Sequence, residues 1–142
     1  MFRLRPATEA DFEAVLALSI RTMRGHLERI GRFDPDRRRA RMRQHLEAGS
    51  LQVIERDGAP IGCLGLYPRG AQLELHSFFL EPALQGRGLG AEVFAWLCAQ
   101  HPGRSWWIEV LKESPARRFW ERQGFTLIGE QPFDWVMERP AD

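Results

Sequence analysis

The chain has 142 residues, 44% of them hydrophobic, and a net charge of +1. That length suits one domain, residues 1–142, with a single core, and the near-neutral charge argues against a field built for nucleic acid or a membrane surface. No apolar run approaches the ~18 residues of a membrane span, and Met1-Phe2-Arg3-Leu4-Arg5 lacks the apolar stretch of a signal peptide. Cys63 and Cys98 lie in apolar runs without metal-ligand spacing, which reads as reduced core thiols in a cytoplasmic protein that uses no metal.

Phe2 to Arg5 alternates apolar and polar before Pro6 and predicts a short first strand. Thr8 is set to cap a helix, with Asp11 in the first turn, and Phe12, Val15, Leu16, Ile20 and Met23 follow at helical spacing. Gly25 and Gly31 are expected to interrupt the chain after that helix. Asp34-Pro35-Asp36 starts a second helix that carries Arg37, Arg38, Arg39, Arg41 and Arg43 and stops at Gly49. Without interleaved aromatics, that arginine run reads as a solvated helix face rather than a nucleic-acid patch.

Leu51 to Glu55 and Ile61 to Tyr67 read as strands joined by the hairpin turn Asp57-Gly58. Leu73 to Leu80 is a longer strand that leads into Gln85-Gly86-Arg87-Gly88-Leu89-Gly90, after which a helix runs to His101-Pro102-Gly103. Trp106 to Leu111 is apolar enough for a central strand. Ser114-Pro115 opens a helix over Ala116 to Gln123 that ends on Gly124, and Phe125 to Ile128 and Trp135 to Arg139 close the chain as strands. The order is a mixed α/β pattern without regular β-α-β alternation.

The glycine loop is the chemical centre of this pattern. Glycines before a helix let backbone approach a ligand, and the helix's first free N–H groups favour an anion, most often phosphate. A Walker loop would need a Gly-Lys-Ser/Thr ending, whereas the chain's one lysine is Lys112. A dinucleotide fingerprint needs G-x-G-x-x-G early in the chain. Here the glycines run G-x-G-x-G past the midpoint, although Glu109 does fall about 20 residues on, as that fingerprint asks.

The spacing Gln85-x-x-Gly88-x-Gly90 resembles the Q/R-x-x-G-x-G/A acyl-CoA signature of the GNAT superfamily of N-acetyltransferases. Ser114-Pro115-Ala116-Arg117-Arg118-Phe119-Trp120-Glu121-Arg122-Gln123-Gly124-Phe125 is similar to that family's N-x-x-A-x-x-F-Y-E-x-x-G-F segment. The element order is also the family's, over essentially the whole chain. The resemblance implies a central, mostly antiparallel twisted sheet flanked by helices. It implies acetyl-CoA as cosubstrate, with pyrophosphate contacts at Gln85, Gly86, Arg87, Gly88, Leu89, Gly90 and Ala91. The pantetheine arm would lie along Phe78, Phe79 and Leu80, one of whose N–H groups would serve as oxyanion donor, and Ser114 and Trp120 would stand near the thioester end. The expected activity is transfer of acetyl to a primary amine of a small molecule or peptide, by a monomer or homodimer that engages no nucleic acid or membrane.

Such a transfer needs a neutral amine, and an amine of pKa about 10.4 is neutral in roughly one molecule in two thousand at pH 7. Glu74 and His76 are the candidate bases: they share one face of the strand leading into the loop, and some family members place a glutamate there. Both residues could equally be ordinary polar residues of the sheet. The family's usual tyrosine acid falls at Trp120, which cannot donate an ionisable proton. Three alternatives remain: His76 as the acid, water as the acid, or a protein that binds acyl-CoA as a sensor without turning it over. If the pocket has kept the family's shape, Trp120→Tyr is expected to hold or raise turnover. Arg21, Arg24, His26, Phe33, Phe133, Asp134 and Trp135 lie where the family chooses its acceptor. Asp134 and Glu74 suit a cationic acceptor and the arginines an acidic one, and the sequence leaves both open.

Overall fold

The computed structural model describes residues 1–142. The first strand, β1 (Phe2–Pro6), ends at a single 3₁₀ turn whose entry is tied by Asp11. The Asp11 carboxylate accepts from the Thr8 N–H and from the Arg5 guanidinium, the latter through two contacts of 2.8 Å. The paired Arg5 holds Asp11 well below the usual carboxylate range.

Helix α1 (Phe12–Arg29) runs straight through Gly25, contrary to expectation, and the chain turns at Gly31 with φ +68°. A lone helical glycine costs only about 1 kcal/mol. An 18-residue helix with Phe12, Val15, Leu16 and Leu18 buried outweighs that. Helix α2 (Pro35–Glu47) starts as the sequence predicts, with the Asp34 side chain accepting from the N–H groups of Asp36 and Arg37.

Six of the remaining elements are strands: β2 (Leu51–Arg56), β3 (Ala59–Arg69), β4 (Gln72–Leu80), β5 (Ser105–Leu111), β6 (Thr126–Glu130) and β7 (Asp134–Arg139). Helix α3 (Leu89–Gln100) joins β4 to β5, and α4 (Ala116–Arg122) joins β5 to β6. The seven strands form one sheet in the order β1-β2-β3-β4-β5-β7-β6. All neighbours are antiparallel except β4 and β5. This mixed α/β sheet, mostly antiparallel and flanked by helices, is the architecture the resemblance implies.

The sheet is covered on both faces. On one, Phe12, Val15, Leu16 and Met42 of α1 and α2 bury Leu51, Val53 and Cys63. On the other, Val93, Phe94 and Leu97 of α3 and Trp120 of α4 cover Leu75, Trp106, Ile108 and Val110. Each such side chain contributes about 1.5–3 kcal/mol when fully buried. No helix is long and apolar enough to cross a membrane.

Two irregularities shape the centre of the sheet. Ser77 has φ +51°, a left-handed backbone rare for a non-glycine residue, and the β3–β4 register shifts between Cys63 and Gly65. This bulge changes which residues face the α3 side: Leu73 and Leu75 before it, Phe78 and Leu80 after it. Phe79 turns instead to the α1–α2 side. In addition, β4 and β5 pair only at Gln72↔Ser105, Leu73↔Trp106 and Glu74↔Trp107. Beyond Glu74 the two strands part.

Candidate active site

The parting of β4 and β5 opens a cleft of about 420 Å³. Its floor is Glu74 to Phe79 of β4 and Ile108 to Leu111 of β5, and its walls come from α1, α2, the start of α4 and the β6–β7 turn. On the side facing β5, β4 beyond Glu74 has no strand partner, so its backbone there is a free edge inside the protein.

The same strand delivers the glycine loop. After a 3₁₀ turn at Pro82–Leu84, Gly86 and Gly88 adopt φ of +80° and +76°, and Gly88 caps α3. The first helical hydrogen bond runs from the Glu92 N–H to the Gly88 carbonyl, so the N–H groups of Leu89, Gly90 and Ala91 have no intrahelical acceptor. A Cβ at Gly86 or Gly88 would meet nothing within 4 Å, which leaves the outer side of the loop open. Gly90 is different: a Cβ there would lie 3.2 Å from the Phe119 ring. Gln85 donates through Nε2 to the Leu80 carbonyl at 3.1 Å and so braces the strand end beneath the loop. Arg87 is exposed and makes no ion pair.

Glu74 and His76 share a face of β4, and their settings differ. Glu74 lines the cleft where the strands part, with Arg69 3.5 Å away. The His76 ring stacks on both His45, at 4.0 Å, and Tyr67, at 4.8 Å, and those two rings lie 5.7 Å from each other. Both its nitrogens are engaged: Nδ1 lies 3.0 Å from the Ser77 hydroxyl and Nε2 3.1 Å from that of Ser50. A side chain at Gly65 would run into the ring. Burial and the neighbouring His45 push His76 down to about 3, and burial, Arg41 and Arg38 push His45 down to about 4. His76 is therefore a neutral ring whose polar atoms are already satisfied.

This stack has a consequence for stability. Both rings stay neutral in the folded chain, whereas each binds a proton below about pH 6.5 when unfolded. The unfolded state then binds more protons, so stability is full above pH 6.5 and falls as pH drops towards the lowered values. His26 and His101 are lowered by burial too and act with the same sign. Chemical denaturation between pH 7 and pH 5 is expected to show this decline, with a shallower slope for His76→Asn. An equal slope in the variant would contradict the burial of a neutral His76.

Trp120 is 8% exposed and meets four phenylalanine rings edge-on: Phe78, Phe94, Phe119 and Phe125, at 4.8 to 5.6 Å. It reaches the cleft wall as part of the core, with no polar partner for its indole. That packing favours a structural role for Trp120 over a site into which a tyrosine would fit as an acid. Trp120→Tyr leaves a gap among the four rings and is expected to cost about 1–3 kcal/mol with no gain in turnover, read from the melting midpoint and thiol release on one preparation. Ser114 lies beside it on the cleft, its Oγ accepting from the Ala116 N–H at 3.1 Å.

The sequence reading missed two sets of cleft residues. One is Glu109, which faces the cleft from β5 and is raised by burial, by Asp134 and by Glu74. A glutamate inside the apolar run Trp106 to Val110 was the available signal. The other is the inner face of α2. Arg39 and Arg43 are bound outward to Glu13 and Glu9, at 2.6 Å each. Arg37, Arg38 and Arg41 line the cleft instead. The helical offset of Arg38 and Arg41 from Arg39 and Arg43 marks this division.

Comparison with known proteins agrees with the geometry. The family model described as the acetyltransferase (GNAT) family matches residues 14–125. A search of curated sequences finds no match. Among solved structures, an acetyltransferase from Thermus thermophilus superposes with a TM-score of 0.76 at 20% identity, covering 99% of this chain and 97% of that one. A GNAT-family acetyltransferase from Streptococcus agalactiae superposes with a TM-score of 0.77 at 13% identity, covering 99% and 96%. The PaiA N-acetyltransferase of Thermoplasma acidophilum, solved in complex with coenzyme A, gives 0.71 at 15% identity, covering 99% of both chains. These likenesses are likenesses of fold, while the family match takes in most of the chain, including the glycine loop and the segment around Trp120. The chain is thus a member of the acetyltransferase (GNAT) family.

Proposed function

We propose that the protein transfers an acetyl group from acetyl-CoA to a primary amine. The observation that carries the reading is the combination of a glycine loop with free α3 N–H groups and a free backbone edge on β4 leading into it. Anionic phosphates suit the first and an extended amide chain, adding as a strand would, suits the second. The PaiA relative, bound to coenzyme A, supports the same assignment. Gly86 to Ala91 would hold the pyrophosphate, Phe78 to Leu80 the pantetheine arm, and Ser114 and Trp120 would border the thioester.

In this reading a carboxylate on the cleft floor takes a proton from the acceptor's ammonium group. We assign that role to Glu74. The neutral nitrogen bonds to the thioester carbon, and a backbone N–H of β4 holds the developing oxyanion. The carbon–sulfur bond then breaks with its electron pair on sulfur. The nitrogen gives up its surplus proton to solvent, the thiolate takes one from water, since its conjugate thiol has a pKa near 8.5, and the products are an amide and free thiol. His76 serves to hold the strand through its serine contacts, since its ring is neutral at working pH. The test is thiol release from acetyl-CoA against a panel of primary amines. A protein that binds acetyl-CoA and releases no thiol with any of them is a sensor, and the reading fails.

A further inference from the structure

The cleft has one basic wall and one acidic floor, and neither neutralises the other. Arg37, Arg38 and Arg41 face it from α2, and Glu109 and Asp134 face it from β5 and β7. No guanidinium nitrogen of these arginines lies within 4.0 Å of a carboxylate oxygen, although the outward arginines of the same helix are both paired. The two charges are nevertheless close enough to feel each other, because Arg41 draws both Glu109 and Asp134 downward against the burial that raises them. Arg38 is half-buried and burial lowers it as well, since nothing compensates its desolvation. Charges kept unpaired on opposite sides of a gap, Arg38 and Asp134 half-buried and Arg37, Arg41 and Glu109 exposed, are complementary to a molecule that carries both signs.

We propose that the acceptor is a small amino carboxylate, a free amino acid or close analogue, with its carboxylate at Arg38 and Arg41 and its amine towards Glu74, Glu109 and Asp134. The inference rests on the acetyl-transfer reading and names the acceptor class for the same cleft. A planar guanidinium fork matches a carboxylate in two contacts, which orients the molecule as well as binding it. Met23 and Leu27 of α1, Ile30 at its C-terminal cap and Phe133 add an apolar border where the acceptor's own side chain can lie. The step balances as before. One ammonium proton passes to the floor carboxylate, the nitrogen forms an amide bond with the acetyl carbon, and the thiolate leaves and is protonated by water. The second proton of the neutral amine is lost to solvent once the amide nitrogen has formed, and the acceptor's carboxylate is unchanged.

The experiment compares leucine, leucinamide and isopentylamine as acceptors, for the wild type, Arg38→Met and Arg41→Met, by thiol release. Leucine is expected to exceed the other two in kcat/KM by about tenfold or more. Each variant is expected to raise KM for leucine by about tenfold and to leave the two uncharged-end amines within twofold, as loss of one charge-assisted contact implies. Equal or better use of isopentylamine, or variants that act on all three alike, overturns the proposal. If no amine releases thiol, the acetyl-transfer reading fails by itself. Calorimetry of leucine against the acetyl-CoA complex then decides this one: binding weakened by both variants supports it, and no binding overturns it.

Discussion

Gly88→Val and Gly90→Glu are each expected to abolish acetyl-CoA binding, by different routes. Gly88 sits at φ +76° as the cap of α3. A β-branched residue is a true outlier there, and holding it left-handed costs roughly 1–2 kcal/mol. The loop will relieve that strain by turning its peptide groups, which misdirects the N–H groups that the α3 terminus presents. Gly90 is not left-handed, and its constraint is space. A side chain there starts 3.2 Å from Phe119, and a glutamate adds a negative charge where the helix terminus favours a phosphate. Isothermal calorimetry of acetyl-CoA against both variants is the measurement, with melting curves to show that each is folded. Unchanged affinity in both would remove the loop from the binding site. Loss in Gly88→Val alone would locate the phosphates nearer to Gly86.

The second large effect falls on the carboxylates of the cleft floor. Glu74→Gln keeps the shape of the side chain and removes its basicity. At pH 7 it is expected to lower kcat by ~10²-fold or more, as removal of a general base does. The deficit should shrink as pH rises, because the acceptor amine becomes neutral unaided. Glu109→Gln is the paired experiment. Glu109 is raised by burial, Asp134 and Glu74, which makes it a stronger base than an ordinary glutamate when ionised and leaves it less often ionised in mildly acidic solution. A pH-dependent deficit in Glu74→Gln with a small, pH-independent one in Glu109→Gln supports the assignment made here. The reverse pattern moves the base one strand along. Flat, near wild-type profiles in both would mean that the amine loses its proton to solvent.

Much of this architecture was written in short local signals. Asp57-Gly58 forms its turn with both residues at positive φ, +51° and +85°. Asp34-Pro35 caps α2 as its chemistry demands, and the glycine loop lies between strand and helix where its spacing puts it. Gly25 was misleading because its cost is small beside the packing of α1. What the sequence withheld is what depends on neighbours distant in the chain. Arg39 and Arg43 differ locally from Arg38 and Arg41 only in their place around the helix, and which side is paired is decided by Glu13 and Glu9 of the preceding helix and turn. His76 was readable as a candidate base from its strand face. Its stacking on His45, 31 positions earlier in the numbering, and on Tyr67 is a tertiary event. The bulge at Ser77 carries no glycine or proline to announce it.

The parting of β4 from β5 has a bearing on colloidal behaviour as well as on chemistry. A strand with free backbone groups is the usual seed for sheet-to-sheet aggregation, because any other strand can add to it. Here the exposed stretch is internal to the sheet, at the bottom of a cleft walled by α1, α2 and α4. A flat sheet edge from a second molecule cannot reach it, whereas a single narrow chain can. The fold therefore keeps an adhesive surface available to a slender ligand and closed to its own copies. The cost of carrying an unfinished sheet is met by geometry, with no need for the lysines or prolines that blunt the outer edges of other sheets.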